Sequence, residues 1–104
     1  MYATYRRYEG IDQTRIEELS RKVNDSLIPR LTRMSGFHGF FLIEGGEGVV
    51  KSMTLFDTSA QAEESNRVAV EGMEEEKLEN LIPNAPKIVV REVLAHELKA
   101  PALV

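Results

Sequence analysis

The stretch GFHGFFLIEGGEGVVKSMTLF, Gly36 to Phe56, decides the fold of this chain. Its first part, Gly36 to Glu44, is apolar and aromatic and too short for a typical helix. Its last part, Val49 to Phe56, resumes with Val, Ser, Thr, Met and Phe. Between them lies Gly45-Gly46-Glu47-Gly48, whose glycines adopt the positive φ angles of a tight turn without steric cost. Two β-rich runs around such a cluster predict a hairpin.

Upstream of the hairpin, Ile16, Leu19, Val23 and Leu27 recur at spacings of three and four, one apolar stripe of a helix. Asp12 can cap its first turn, and Ile11 and Ile16 stand where a hydrophobic staple would cross that cap. Pro29 lacks an N–H and clashes with the preceding turn, so the helix is expected to end or kink there. Before it, Tyr2 to Tyr8 predicts a strand. Downstream, Thr58 and Gln61 are spaced as a capping box for a second helix running to about Leu81, ahead of Pro83. Asn84-Ala85-Pro86 reads as a turn, and Lys87 to Ala95 as a last strand.

The order is β-α-β-β-α-β, a ferredoxin-like α+β fold. It implies a four-stranded antiparallel sheet with two helices on one face. With 104 residues the chain is expected to form one domain, 1–104, with a core of about 1–96 and a C-terminal tail, 97–104. That tail is apolar, and it either lies across a second subunit or frays. Both phases of the strands are apolar. In the second strand Phe37, Phe41 and Ile43 are expected to oppose Phe40 and Leu42. In the last, Val89 and Val93 oppose Ile88, Val90 and Leu94. Two helices cover one face only, so the other face predicts a homodimer packed sheet to sheet.

Composition narrows the function. A chain without cysteine has no disulfide, no thiolate metal site and no thiol nucleophile. The formal charge of −4 is the wrong sign for a phosphate-binding surface, so nucleic acid is not an expected partner. The first residues carry charge where a secretory signal would be apolar, and no run reaches the ~18 apolar residues of a membrane span. A cytoplasmic protein without membrane contact is the expectation. His38 and His96, 58 positions apart with no spaced carboxylates, make no metal motif, and no metal or cofactor is expected. Gly45, Gly46 and Gly48 lack the context of a phosphate-binding loop. Arg6, Arg7, Lys51 and Arg91 fall on strands, where pairing with Glu44 and Glu92 is the plain reading and an anionic ligand the other. Tyr2, Tyr5 and Tyr8 read as packing aromatics with wet hydroxyls.

Element order, together with Gly36-Phe37-His38-Gly39-Phe40-Phe41, Ser52-Met53-Thr54-Leu55-Phe56 and Ala62-Glu63-Glu64-Ser65-Asn66, resembles the dimeric α+β barrel superfamily. The likeness spans about Met1 to Ala95 and is to its antibiotic biosynthesis monooxygenase-like domains in particular. That superfamily includes cofactor-free oxygenases of quinol-like aromatics, haem-degrading enzymes, chlorite dismutase-type proteins and small members of no assigned activity. The resemblance implies a cavity within each subunit, between sheet and helices.

Ala62, Asn66, Ala69 and Met73 form a stripe on the second helix that should face the sheet. Asn66 is its polar member. It either hydrogen-bonds within the protein or binds a substrate oxygen and steadies a developing oxyanion. The resemblance places a family asparagine at the corresponding helix, usually followed one turn later by a tryptophan that is Val70 here. His38 is expected to share a phase with Phe40 and Leu42, where it either moves a proton or is a bonded strand-end residue. Phe40, Val70 and Met73 are the expected pocket walls. The leading expectation is a small-molecule-binding barrel with cofactor-independent monooxygenase-like activity on a small aromatic or quinol-like substrate. The alternative is a non-enzymatic ligand-binding or stress-associated barrel. A cavity of ~300 Å3 containing Asn66 would favour the first, and a filled interior the second.

Overall fold

Residues 1–98 are described by the structure, a computed structural model. The elements are β1 (Tyr2–Tyr8), α1 (Ile16–Lys22), α2 (Ile28–Thr32), β2 (Phe37–Gly46), β3 (Val49–Phe56), α3 (Ser59–Glu75) and β4 (Lys87–Glu92). The four strands are antiparallel in the order β2-β3-β1-β4. The expected ferredoxin-like sheet is present, with α3 packed over β1, β3 and β4 and α2 over β2. Residues 99–104, most of the tail on which two expectations rested, lie outside the described residues.

The hairpin forms as its glycines dictate. Glu47 and Gly48 make the turn at φ 52° and 77°, and Gly46 precedes them at 78°. Ile11 N–H donates to Gly48 O at 2.9 Å, docking the turn on the loop after β1. A Cβ on Gly48 would lie 2.9 Å from Ile11 O, so this position needs glycine for space as well as for φ.

The first helical region does not stop at Pro29. Asp12 Oδ1 accepts from Thr14 N–H at 2.9 Å, and a short 3-10 turn leads into α1. A π turn, Val23–Leu27, then joins α1 to α2, and Pro29 lies in the first turn of α2. Ile28 N–H bonds back to Val23 O across the wider turn. The ladder thus shifts before it reaches the residue that cannot donate, and the helical run continues to Thr32.

The second helix is shorter than its sequence suggests. Its N-terminal capping box is complete, with Thr58 N–H donating to Gln61 Oε1 and Gln61 N–H to Thr58 Oγ1. It ends at Glu75 and not near Leu81. Glu74, Glu75 and Glu76 crowd the negative end of the helix dipole, and Lys77 turns left-handed at φ 55°. The chain then redirects Leu78 and Leu81 into the core at 1% and 4% exposure. Strand β4 likewise ends early, at Glu92, because its partner β1 begins opposite that residue at Tyr2.

A register shift between Phe37 and Gly39 changes the faces of β2. Phe37 opposes Phe56 and meets it edge to face, ring centres 5.9 Å apart. It therefore joins Phe40 and Leu42 on the helix side, not Phe41 and Ile43 as alternation predicts. The bulge also removes His38 from the phase of Phe40 and Leu42 and leaves it exposed. On the far face of the sheet, Tyr5, Phe41 and Ile43 are 36%, 38% and 51% exposed.

Candidate functional site

Strands β1 and β3 carry an unusual row between sheet and helices. Thr4, Arg6 and Tyr8 point inward from β1, and Val50, Ser52, Thr54 and Phe56 from β3, all buried. Arg6 is opposite Ser52, and Thr4 opposite Thr54. Arg6 is 2% exposed. Its Nη1 donates to Thr54 Oγ1 at 3.2 Å, and its Nη2 to Ser65 Oγ at 3.1 Å and Asn66 Oδ1 at 2.8 Å. Thr4 Oγ1 and Ser65 Oγ both donate to Ala62 O, at 2.7 and 2.5 Å, fixing the hydroxyls beneath α3.

All three acceptors of Arg6 are neutral, and no carboxylate pairs with it among the described residues. The expected pairing with Glu44 or Glu92 does not occur, because the side chain turns under α3 instead of toward the strand edges. Burial holds the guanidinium below its usual pKa. An arginine nonetheless keeps its charge at neutral pH. Burial pushes the Tyr8 phenol up, partly offset by the Arg6 charge. Tyr8 is 6% exposed, so its hydroxyl is not wet as the sequence suggested.

Beside this row lies an interior cavity of about 20 Å3. Its walls include Tyr8, Phe40, Ser52, Met73 and Ile82. That is room for one water. Ser52 Oγ, on the wall, is buried with no partner at full hydrogen-bond distance, and interacts with the neighbouring Tyr8 hydroxyl. Outside, a groove of about 320 Å3 runs between the end of α3 and residues 82–86. Met73 and Ile82 line both spaces and form the partition between them.

The expected site residues therefore separate. Phe40 and Met73 share the interior cavity, while Val70 joins Met73 only in the outer groove. Asn66 lines neither; its Oδ1 is held by Arg6, and its Nδ2 makes no bond among the described residues. Among the described residues, the hollows of about 300–350 Å3 at the end of α3, beside Met34 and Gln61, and beside Asn24 and Phe41 are not lined by Asn66. His38 lines neither space and is hydrogen-bonded through Nε2 to Asp57 Oδ1 at the surface. Among the described residues no three His, Cys, Asp or Glu side chains gather as metal ligands, and no helix is long and apolar enough to cross a membrane.

The inward stripe of α3 is Ala62, Ser65, Ala69 and Gly72, with Asn66 and Met73 on its flank. Sequence reading missed Ser65 and the burial of Arg6. A signal was available in β3, whose inward phase reads Val50-Ser52-Thr54-Phe56, polar where a core strand is apolar.

No family model and no curated protein matches the chain. Solved structures do. A monooxygenase of Streptomyces coelicolor in complex with nanaomycin D is 13% identical, covering 95% of this chain and 92% of its own, with a TM-score of 0.71. A candidate antibiotic biosynthesis monooxygenase from Bordetella bronchiseptica is 15% identical over 90% of this chain and 97% of its own, with a TM-score of 0.71. A protein of unknown function from Nitrosomonas europaea is 20% identical over 96% and 95%, with a TM-score of 0.64. At these identities the likeness is one of architecture: this chain has the α+β fold of the antibiotic biosynthesis monooxygenase-like domains.

Proposed function

We propose that the chain binds a small organic molecule between its sheet and α3. We propose further that it is a cofactor-independent monooxygenase-like enzyme for a small aromatic or quinol-like substrate. The observation that carries this reading is the polar row of Arg6, Thr54, Ser65 and Asn66 beside an otherwise apolar interior. Where no cofactor takes part, the substrate itself must supply electrons to oxygen, and an ionised phenol or quinol does so best. The protein then has to hold a flat ring and steady an oxyanion. Phe40 and Met73 serve as walls of the interior, and Val70 as a wall of the groove outside it. Asn66, its Oδ1 fixed by Arg6, offers Nδ2 to a substrate oxygen. We assign His38 no step, since its imidazole is engaged by Asp57 away from both spaces.

The working unit we propose is a homodimer. Its support is the exposed Tyr5, Phe41 and Ile43 on the face that no helix covers. A second copy seated there leaves the row under α3 untouched, because the two lie on opposite faces of the sheet.

A non-enzymatic binding barrel is the second reading. The 20 Å3 interior and Val70 in place of a stacking indole favour it. Oxygen uptake with a panel of naphthoquinols and phenols separates the two. Turnover in the wild type that disappears in a folded Asn66→Ala variant supports the enzyme; thermal stabilisation by the same compounds without oxygen uptake supports the binder.

A further inference from the structure

The guanidinium of Arg6 is a charge without a counter-charge. Five N–H donors meet three neutral acceptors, which leaves two donors without a partner among the described residues. A buried ion is ordinarily paired, because removal from water is otherwise uncompensated. Structural roles for a buried cation are normally completed by a carboxylate, and none is present here among the described residues. Across the ladder, Ser52 Oγ is a second buried group with no partner at full hydrogen-bond distance, its one polar interaction among the described residues being with the Tyr8 hydroxyl. Ser52 is opposite Arg6 across the β1–β3 ladder, and Tyr8 follows Arg6 by two residues on the same face. Both line the interior cavity, so two ladder neighbours of Arg6 stand on its wall, although Arg6 itself does not.

We infer that Arg6 and Ser52 form an anion-recognition site, and that the ligand is a small apolar molecule bearing a single oxyanion, a carboxylate or a phenolate. This rests on the reading that the interior binds a small molecule, and it names what that molecule carries. The oxyanion takes the spare Arg6 donors and the Ser52 hydroxyl, and the apolar body takes the cavity beside Phe40 and Met73. The cavity must widen to admit it. Its partition from the outer groove is Met73, an unbranched and readily repacked side chain, and Ile82, from the short segment between α3 and Pro83. Glu74 and Glu79 line that groove, and their charges select against a polyanion. A compact monoanion meets one cation inside and the least repulsion at the rim.

The test is titration of the full chain, by calorimetry and by thermal midpoint, with four probes. These are benzoate, 4-nitrophenolate, the neutral benzamide, and benzene-1,3,5-tricarboxylate. Benzoate and the phenolate should bind and raise the midpoint, while benzamide and the tricarboxylate should not. Arg6→Met should weaken benzoate by about 10- to 100-fold, the worth of a charge-assisted hydrogen bond. Should Arg6→Met fail to fold, Asn66→Asp answers the same question. It places a carboxylate where Arg6 already donates, and an internal counter-ion should abolish benzoate binding while the fold remains. Benzoate affinity at the wild-type level in either variant overturns the inference. So does benzamide binding as tightly as benzoate, although that result leaves the small-molecule reading intact. A flat response to every probe removes both.

Discussion

Arg6 on β1 and Asn66 on α3 meet through one hydrogen bond, Nη2 to Oδ1 at 2.8 Å. This bond ties a strand to the helix above it and orients the Asn66 amide. Removing one partner leaves the other buried or half-buried with nothing in its place. Asn66→Ala should therefore destabilise the chain by about 1.5–3 kcal/mol, the range for a hydrogen bond to a charged group. Asn66→Asp should not destabilise it, because the new carboxylate answers the Arg6 charge. Denaturant unfolding of the two variants decides this. Equal losses in both would mean that the Asn66 site responds to shape and not to charge.

The alkaline limb of the stability profile should report Tyr8. Burial raises its phenol pKa in the folded chain, and the Arg6 charge only partly opposes this. A group whose folded pKa lies above its unfolded value contributes stability that is fully present below the unfolded pKa, here ~10. That stability is lost as pH rises from there through the folded value. Stability measured by urea unfolding should fall across this window in the wild type and fall less steeply in Tyr8→Phe. Parallel curves would assign the alkaline loss to other groups.

The capping box at the start of α3 is testable by itself. Thr58→Ala removes the oxygen that accepts from Gln61 N–H. The expected cost is about 1 kcal/mol, which for a domain of this size lowers the thermal midpoint by roughly 4–8 °C. Thr58→Ser keeps the oxygen and should recover most of the loss.

Association through the helix-free face predicts a different outcome for Phe41 and Ile43, which are half exposed in the single chain. Phe41→Glu puts a charge into the centre of a sheet-to-sheet contact. Sedimentation should show the wild type as a dimer at micromolar concentration and the variant shifted toward monomer, with helical content retained. A wild type that sediments as a monomer would refute the proposed assembly.

Much of this architecture was legible in the sequence for physical reasons that act locally. Gly45 to Gly48 can only turn, Thr58 with Gln61 can cap, and the Leu19-Val23-Leu27 stripe has one helical reading. What was not legible depends on register. One bulge at His38 moves Phe37 to the helix side and His38 to the surface, and nothing in Phe-His-Gly announces an extra residue. Arg6 was hidden by a different rule. A charge in a strand reads as solvent-facing, and its burial appears only once α3 brings Ser65 and Asn66 over it. The polar pair Ser52 and Thr54, in phase with core residues, was the available clue.

The π turn in the first helical run has a consequence for chain length. Leu19, Val23, Leu27 and Leu31 are all buried, at 3%, 4%, 6% and 0% exposure, and each lies four residues after the last. In a regular α-helix four residues overshoot a full turn by about 40°, so three such steps would carry Leu31 about 120° around from Leu19. The wider turn at Val23–Leu27 absorbs that drift and returns all four side chains to one line. The wide turn thus holds one residue more than a regular helix would need to keep this line. Deleting one residue within 23–27 would let the run close as a regular helix with Leu31 eleven positions after Leu19, about 20° round, so the buried line would survive; inserting one would turn α2 by about 100° and send Leu31 toward water.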